Sequence, residues 1–148
     1  MLLTLNSCTP KEYDFELNQK YVLLTTEING IEIRDKIIHD PLLSFTIRDK
    51  KYYPAIRFNR SDSSVIVPGA NNNKEILDFS ANKNLKNIVF SRRKDSLEDT
   101  LVDKLFLKNF KIKKDPKLGE LILETDSVKI RMLPSERFAN RIKSMHLD

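Results

Sequence analysis

The sequence predicts a mainly β domain, either an antiparallel barrel or a strongly coiled sheet of about eight to nine strands. Three observations predict this class. Short runs of β-branched and aromatic residues recur along the chain, turn-forming residues separate them, and only two segments show helical character. The 148 residues suit one domain, and a two-sheet sandwich is the competing architecture.

The first strand and the turn after it predict a β-hairpin. Residues 21–28 are rich in β-formers, Asn29-Gly30 supplies two residues that readily adopt positive φ, and residues 31–33 alternate in polarity. In the next segments, Pro54 predicts that its strand lies at a sheet edge or a bulge. The further predicted strands lie at 43–47, 52–58, 65–67, 77–79, 88–90, 106–112, 121–123 and 128–132.

One short helix is predicted at about residues 96–106. Leu97, Leu101 and Leu105 recur every four residues, and Ser96 stands where an N-cap is needed. The last segment, 135–148, is either a second helix or a frayed tail. The chain therefore divides into a tether at 1–19, a single β-rich domain at 20–134, and the C-terminal segment.

The N-terminal residues resemble the end of a bacterial lipoprotein signal. Four of the first five residues are apolar, and the small Ser7 precedes Cys8, the only cysteine. A full signal would need a charged start and a longer apolar stretch, so either the true start lies upstream of Met1 or this is an ordinary N-terminus with a single thiol. We expect lipid attachment at Cys8 and a lipid-anchored envelope location, periplasmic or surface-facing; the alternative location is the cytoplasm.

The charge of the chain allows a second class of function. Lys and Arg outnumber Asp and Glu by 26 to 21, a net charge of +5. Phe106 and Phe110 are interleaved with lysines, as in some single-stranded nucleic-acid binders. A solvated strand face with its aromatic residues in the core is the simpler interpretation, so nucleic-acid binding is the alternative. Its candidate residues are Lys108, Lys111, Lys113 and Lys114.

No assembled catalytic or metal-binding pattern is visible in the sequence. The two histidines are far apart, and no nucleophile, metalloprotease or phosphate-loop motif occurs. Glu120 and Glu124 are interpreted as solvated ends of a strand. We therefore expect a non-enzymatic protein without metal or cofactor, and a hydrolase with an unrecognised site is the remaining alternative.

The residues expected to bind a small ligand are Tyr52, Tyr53 and Arg57. Two phenols and a guanidinium on one edge strand would supply stacking and anion recognition. An ordinary strand with surface and core residues gives the same pattern. The expected partner is an unknown protein or small molecule.

The order of these elements resembles the META domain found in bacterial envelope lipoproteins. The resemblance covers roughly residues 21–133. The segments that carry the resemblance are Asn29-Gly30, Pro41 to Phe45, Phe58-Asn59-Arg60, Leu97-Glu98-Asp99, and Gly119 to Leu123. Tyr21 stands where that family usually has tryptophan. The resemblance implies an envelope lipoprotein with a β domain, and a small lipocalin-like domain would give nearly the same pattern of strands.

Overall fold

The chain is described as a computed structural model for residues 16–37, 44–46, 52–70, 74–93 and 100–145. Within those ranges it is mainly β, as the sequence predicts. A 3-10 turn at Arg34–Lys36 follows the first hairpin. The strands are β1 (Lys20–Ile28), β2 (Ile31–Glu32), β3 (Ser44–Thr46), β4 (Tyr52–Asn59), β5 (Ser64–Pro68), β6 (Lys74–Ala81), β7 (Asn87–Arg92), β8 (Asn109–Asp115), β9 (Glu120–Glu124) and β10 (Val128–Pro134), and the helices are α1 (Thr100–Leu105) and α2 (Ser135–Met145).

Eight of these strands close into an antiparallel barrel. Strands β4 to β10 pair in sequence order, and β1 pairs with β10 on one side and with β4 on the other. The short strands β2 and β3 extend the sheet outside this ring. The barrel alternative is thus confirmed over the sandwich, and closure removes the exposed edges that an open sheet would leave.

The pairing of β4 changes along its length. Pro54 lies opposite Ser44 of β3, while Arg57 is paired with Lys20 of β1 on one side and with Ile66 of β5 on the other. Pairing with β5 begins only at Arg57, so among the described residues Pro54 has a neighbouring strand on one side. The missing N–H of Pro54 is tolerated at such a one-sided stretch, as the sequence predicts for an edge.

Both helices are present. The helix expected at about 96–106 is observed as α1, whose beginning borders residues outside the described ranges. Phe106 lies in the turn after α1 and not in the following strand, where the sequence placed it. For the C-terminal segment, the helix alternative is confirmed by α2.

Side chains fill the interior of the barrel. Inward-facing apolar residues from all eight strands form one cluster, to which α1 adds Val102 and Leu105. Aromatic rings run through this cluster in edge-to-face contacts, from Tyr21 to Phe58 at 5.7 Å between centroids and from Phe90 to Phe110 at 5.7 Å. The interior is therefore a packed core rather than an open channel lined by side chains.

The two ends of the barrel are built differently. The end we call the hairpin end carries the entry to β1 and the turns between β4 and β5, β6 and β7, and β8 and β9. The opposite end, which we call the helix end, carries α1, the Asn29-Gly30 turn and the β9–β10 turn. The backbone N–H of Asn29 donates to the carbonyl of Ser127 at 2.6 Å, which joins the two turns at the helix end.

Candidate functional site

An open apolar cleft lies at the helix end of the barrel. One wall comes from the β1–β2 hairpin and the residues that follow it, and the other comes from α1. Its volume is about 420 Å³, which lies within the usual range for small-molecule sites. The residues that line this helix-end cleft are Ile28, Asn29, Ile31, Ile33, Lys36, Ala70, Thr100, Leu101 and Lys104.

Local sequence fixes the hairpin wall. Asn29 and Gly30 have φ values of 52° and 79°, as a two-residue hairpin turn requires. After the turn, the carboxylate of Glu32 accepts hydrogen bonds from the backbone N–H and the hydroxyl of Thr26, at 2.9 and 2.7 Å. The hairpin is thereby held against β1, and Ile31 is left 65% exposed beside the cleft.

The other wall is α1, which faces two environments. Val102 and Leu105 are fully buried in the barrel, whereas Leu101 is half-buried and Lys104 is exposed on the cleft side. This division follows from helical spacing, because residues three positions apart lie on the same side of a helix: Leu101 and Lys104 share one side, and Val102 and Leu105 share the next.

Ionic contacts fix α1 to the barrel wall. Arg92 Nε donates to Glu75 Oε1 at 2.6 Å, and Arg92 Nη1 lies 2.7 Å from Asp103 Oδ1. Glu75 is buried, and its hydrogen bond is the main reason that the pKa of Arg92 lies above its ordinary value. Arg92 therefore stays charged and links the buried Glu75 of β6 to Asp103 of α1.

The charged side chains that line the helix-end cleft are basic. Among the residues that the structure describes, these are Lys36 and Lys104, and no carboxylate lines the cleft. Within the described part of the chain, neither lysine makes an ion pair. The cleft therefore combines an apolar surface with two available cations.

The ligand-binding residues expected from the sequence lie elsewhere, on the wall of the barrel. Tyr53 packs on the outside, edge-to-face with Phe138 of α2 at 5.1 Å, and the guanidinium of Arg34 lies 4.5 Å from its ring centroid. Arg57 is exposed farther along β4, and alternation places it on the same outer face of the strand as Tyr53. The side chain of Tyr52 is not among those that the structure describes, so the grouping of all three residues stays a prediction.

Arg57 does lie beside a second cation. It is in register with Lys20 on β1, and burial, followed by the charge of Arg57, lowers the pKa of Lys20 below its ordinary value. Like charges directly opposite on neighbouring strands repel each other. Binding by Tyr52, Tyr53 and Arg57 stays a prediction, as does lipid attachment at Cys8, which lies outside the described residues.

The basic aromatic face is not formed by the residues that predicted it. Phe106 and Phe110 are fully buried in the barrel and cannot stack on bases. Of the lysines between them and the next turn, Lys113 lies 2.5 Å from Glu124 of β9. The arrangement is that of a solvated strand face with its aromatic residues in the core.

Glu120 differs from its sequence interpretation as a solvated strand end. It is buried on the outer wall beneath α2, where Arg131 Nε donates to its carboxylate at 2.9 Å and Arg141 Nη1 at 3.4 Å. Arg141 also donates to the carbonyl of Leu118 at 2.7 Å. Glu120 is therefore a structural carboxylate that attaches α2 to the barrel, whereas Glu124 remains partly exposed.

A second cleft lies at the hairpin end and is more polar. Its volume is about 510 Å³, and its lining includes Arg60, Lys83 and the edge of Phe79. Two lining residues, Ser63 and Leu85, have positive φ values of 53° and 52°. Leu85 packs against the barrel core, so the unusual backbone is explained by the insertion of its side chain.

The lysines and isoleucines of the helix-end cleft were missed at the level of sequence. One available signal was the spacing of Thr100, Leu101 and Lys104, which lie on one side of a helix; another was an apolar Ile31 directly after a hairpin turn, where a polar residue is usual. No signal places Lys36 near Lys104, because only closure of the barrel brings them together.

Comparison with known proteins finds no match: no protein-family model, no curated protein and no solved structure is significantly similar to this chain. Within the described ranges, no cluster of three or more histidine, cysteine, aspartate or glutamate side chains is arranged to hold a metal ion. Among the same residues, no helix has the length and apolar character needed to cross a membrane.

Proposed function

We propose that this protein is a non-enzymatic binding module of the bacterial envelope that takes a small ligand or a partner's side chain into the helix-end cleft. One observation carries the proposal: the cleft is open and apolar, and Ile31 at its rim is 65% exposed. Exposed apolar surface in a concave site is typical of ligand binding. The contacts of Glu32 with Thr26 and of Arg92 with Asp103 hold the two walls of the cleft to the barrel.

The proposal includes a lipid anchor at Cys8 and the META-like class of envelope lipoprotein. The described chain enters the barrel at the hairpin end, where the phenol of Tyr21 donates to the carbonyl of Glu16 at 2.9 Å. The helix-end cleft lies at the opposite end. An anchor attached before residue 16 would therefore join the barrel at the end opposite the cleft, which leaves the cleft accessible to a ligand.

The anchor is tested by intact-mass analysis of protein produced in a bacterial host from the full upstream reading frame. We expect the mass of an acylated Cys8 as the N-terminal residue and recovery in the membrane fraction. Cys8→Ser is the matched variant and should move the protein to the soluble fraction. Wild-type protein that retains Met1 and an unmodified thiol would refute the anchor.

The cleft is tested by photo-crosslinking. A photo-reactive amino acid is introduced at Ile31 in one variant and at Leu118 in another, because Leu118 is also exposed, at 50%, but lies at the hairpin end. We expect a specific adduct from position 31 and none from position 118. Equal adducts from both positions, or recovery with bound RNA from the cytoplasm, would contradict the proposed function.

A further inference from the structure

We infer that the ligand of the helix-end cleft is a small amphiphile with an apolar body and one anionic group, such as a fatty carboxylate. This inference rests on the proposed function and adds the chemistry of the ligand. It follows from an apolar lining that carries two lysines and, among the residues that the structure describes, no carboxylate.

The apolar body is matched by the isoleucines and Leu101. Ile28, Ile31 and Ile33 come from the two strands of the hairpin and its exit, and Leu101 faces them from α1. Ile33 is buried and Ile31 is largely exposed, so the apolar surface runs from the core of the cleft to its rim. A flexible alkyl chain would cover Ile31 and remove this surface from water.

The anionic group is matched by Lys36 and Lys104. Both side chains are exposed, and neither forms an ion pair among the described residues. A lysine ammonium carries three donors on a flexible stem, so two of them can reach a single carboxylate from opposite walls. A cationic ligand would be repelled by both ammonium groups.

The size of the cleft and the filled barrel restrict the ligand further. A volume of about 420 Å³ accommodates a small molecule, but not a folded segment of another protein. The barrel interior is occupied by Phe58, Phe90 and Phe110 in mutual contact, so the apolar chain lies outside the barrel, between the hairpin and α1.

The test is a titration of the full chain with decanoate and, separately, with decyltrimethylammonium, which has the same chain length and the opposite charge. Binding is followed by NMR of isoleucine methyl groups. We expect decanoate to shift the methyl signals of Ile28, Ile31 and Ile33 and to leave those of the interior Ile88 and Ile130 unchanged. The cationic amphiphile should bind at least about tenfold more weakly.

Two variants of equal net charge locate the anionic group. Lys36→Gln with Lys104→Gln should weaken decanoate binding about tenfold or more, as loss of charge-assisted hydrogen bonds predicts. Lys86→Gln with Lys117→Gln removes two exposed lysines at the hairpin end and should change the affinity less than about twofold. All four side chains are exposed, so both double variants are expected to fold.

The outcomes separate the inference from the function on which it rests. Equal binding of both amphiphiles in the cleft, or equal effects of the two double variants, would show that the ligand needs no anionic group. The cleft itself would remain a binding site. Shifts confined to Ile88 and Ile130 would place the ligand inside the barrel and overturn both. If neither amphiphile shifted any methyl signal, the inference would be refuted as well. A specific adduct at position 31 would in that case support only the binding of a partner's side chain in the cleft.

Discussion

The two ends of the barrel are closed by different means. At the hairpin end, short turns satisfy their own backbone: Asn82 Oδ1 accepts from the N–H groups of Lys86 and Asn87, and Asp115 Oδ1 accepts from those of Lys117 and Leu118. At the helix end, a separate element, α1, is inserted between strands and is held by Arg92.

The difference explains where the binding cleft lies. A turn that caps itself leaves a polar rim, because its side chains are directed to its own backbone. An inserted helix buries one side and presents the other to solvent, and in α1 that second side carries the apolar Leu101. The end closed by α1 is therefore the end with unfilled apolar surface.

The largest expected effect is the loss of folding stability when a leucine that closes one end of the barrel is truncated. Leu105→Ala removes a fully buried side chain of α1 and should destabilise the protein by about 2 to 5 kcal/mol. Leu85→Ala at the hairpin end removes a half-buried side chain and should cost less, about 1 to 2 kcal/mol. Urea unfolding measures both. Equal losses would mean that α1 does not close its end more firmly than Leu85 closes the other.

A smaller effect is expected at the base of α2, beside the hairpin end. Glu120→Gln leaves Arg131 and Arg141 without their carboxylate and should cost about 1 to 3 kcal/mol, because each arginine can partly recover hydration. A double-mutant cycle with Arg141→Gln should give a coupling of at least about 0.5 kcal/mol. Additive losses would show that Glu120 does not attach α2.

The turns of the two ends can be compared through glycine. Gly30 at the helix end has φ +79° and open space around its Cα, so Gly30→Ala should cost about 1 kcal/mol from backbone strain alone. Gly119 at the hairpin end has φ 69° and is buried, so Gly119→Ala should cost at least as much. Thermal unfolding measures both changes. A neutral Gly30→Ala would show that the hairpin turn can change its type.

The smallest expected effect is a difference in the dependence of stability on pH and salt. A hydrogen bond from Lys113 lowers the pKa of Glu124 at the helix end, and one from the hydroxyl of Ser64 lowers the pKa of Asp62 at the hairpin end. Each carboxylate therefore stabilises the fold above the pKa that it has in the unfolded chain. That stability is lost as the pH falls through the lower pKa of the folded state.

Two variants separate these contributions. Glu124→Gln and Asp62→Asn should each flatten the decrease in stability on the acid side of about pH 4.5. Added salt should reduce the contribution of Glu124, because its partner is an exposed lysine, and should affect that of Asp62 less, because a neutral hydroxyl is the main cause of its shift. The same salt dependence at both sites would contradict these assigned causes.

Local patterns predicted most of the fold. The turn residues Asn29-Gly30 and the segment 125–127 fix hairpins by their own conformations, and alternation along β8 and β10 gives the buried faces correctly. Such features depend on neighbours within a few residues, which the sequence displays directly.

The sequence did not predict the features that depend on distant partners. Glu120 looks solvated beside Leu121, yet it is buried beneath α2, from which Arg141, 21 residues later in the chain, reaches its carboxylate. The cleft has the same origin: Lys36 and Lys104 belong to separate local patterns and meet only when the barrel closes.

The closure of the ring by β1 has a consequence for how the protein is made. Tyr21 pairs with Pro134, so the first barrel strand finds one of its two neighbours only after the last strand has been synthesised. Until then β1 and β10 cannot protect each other, and pairing over such a sequence separation is slow. During synthesis β1 can pair with β2 and β4, but its edge toward β10 stays open until the last strand has emerged, and an open strand edge can pair wrongly with another chain.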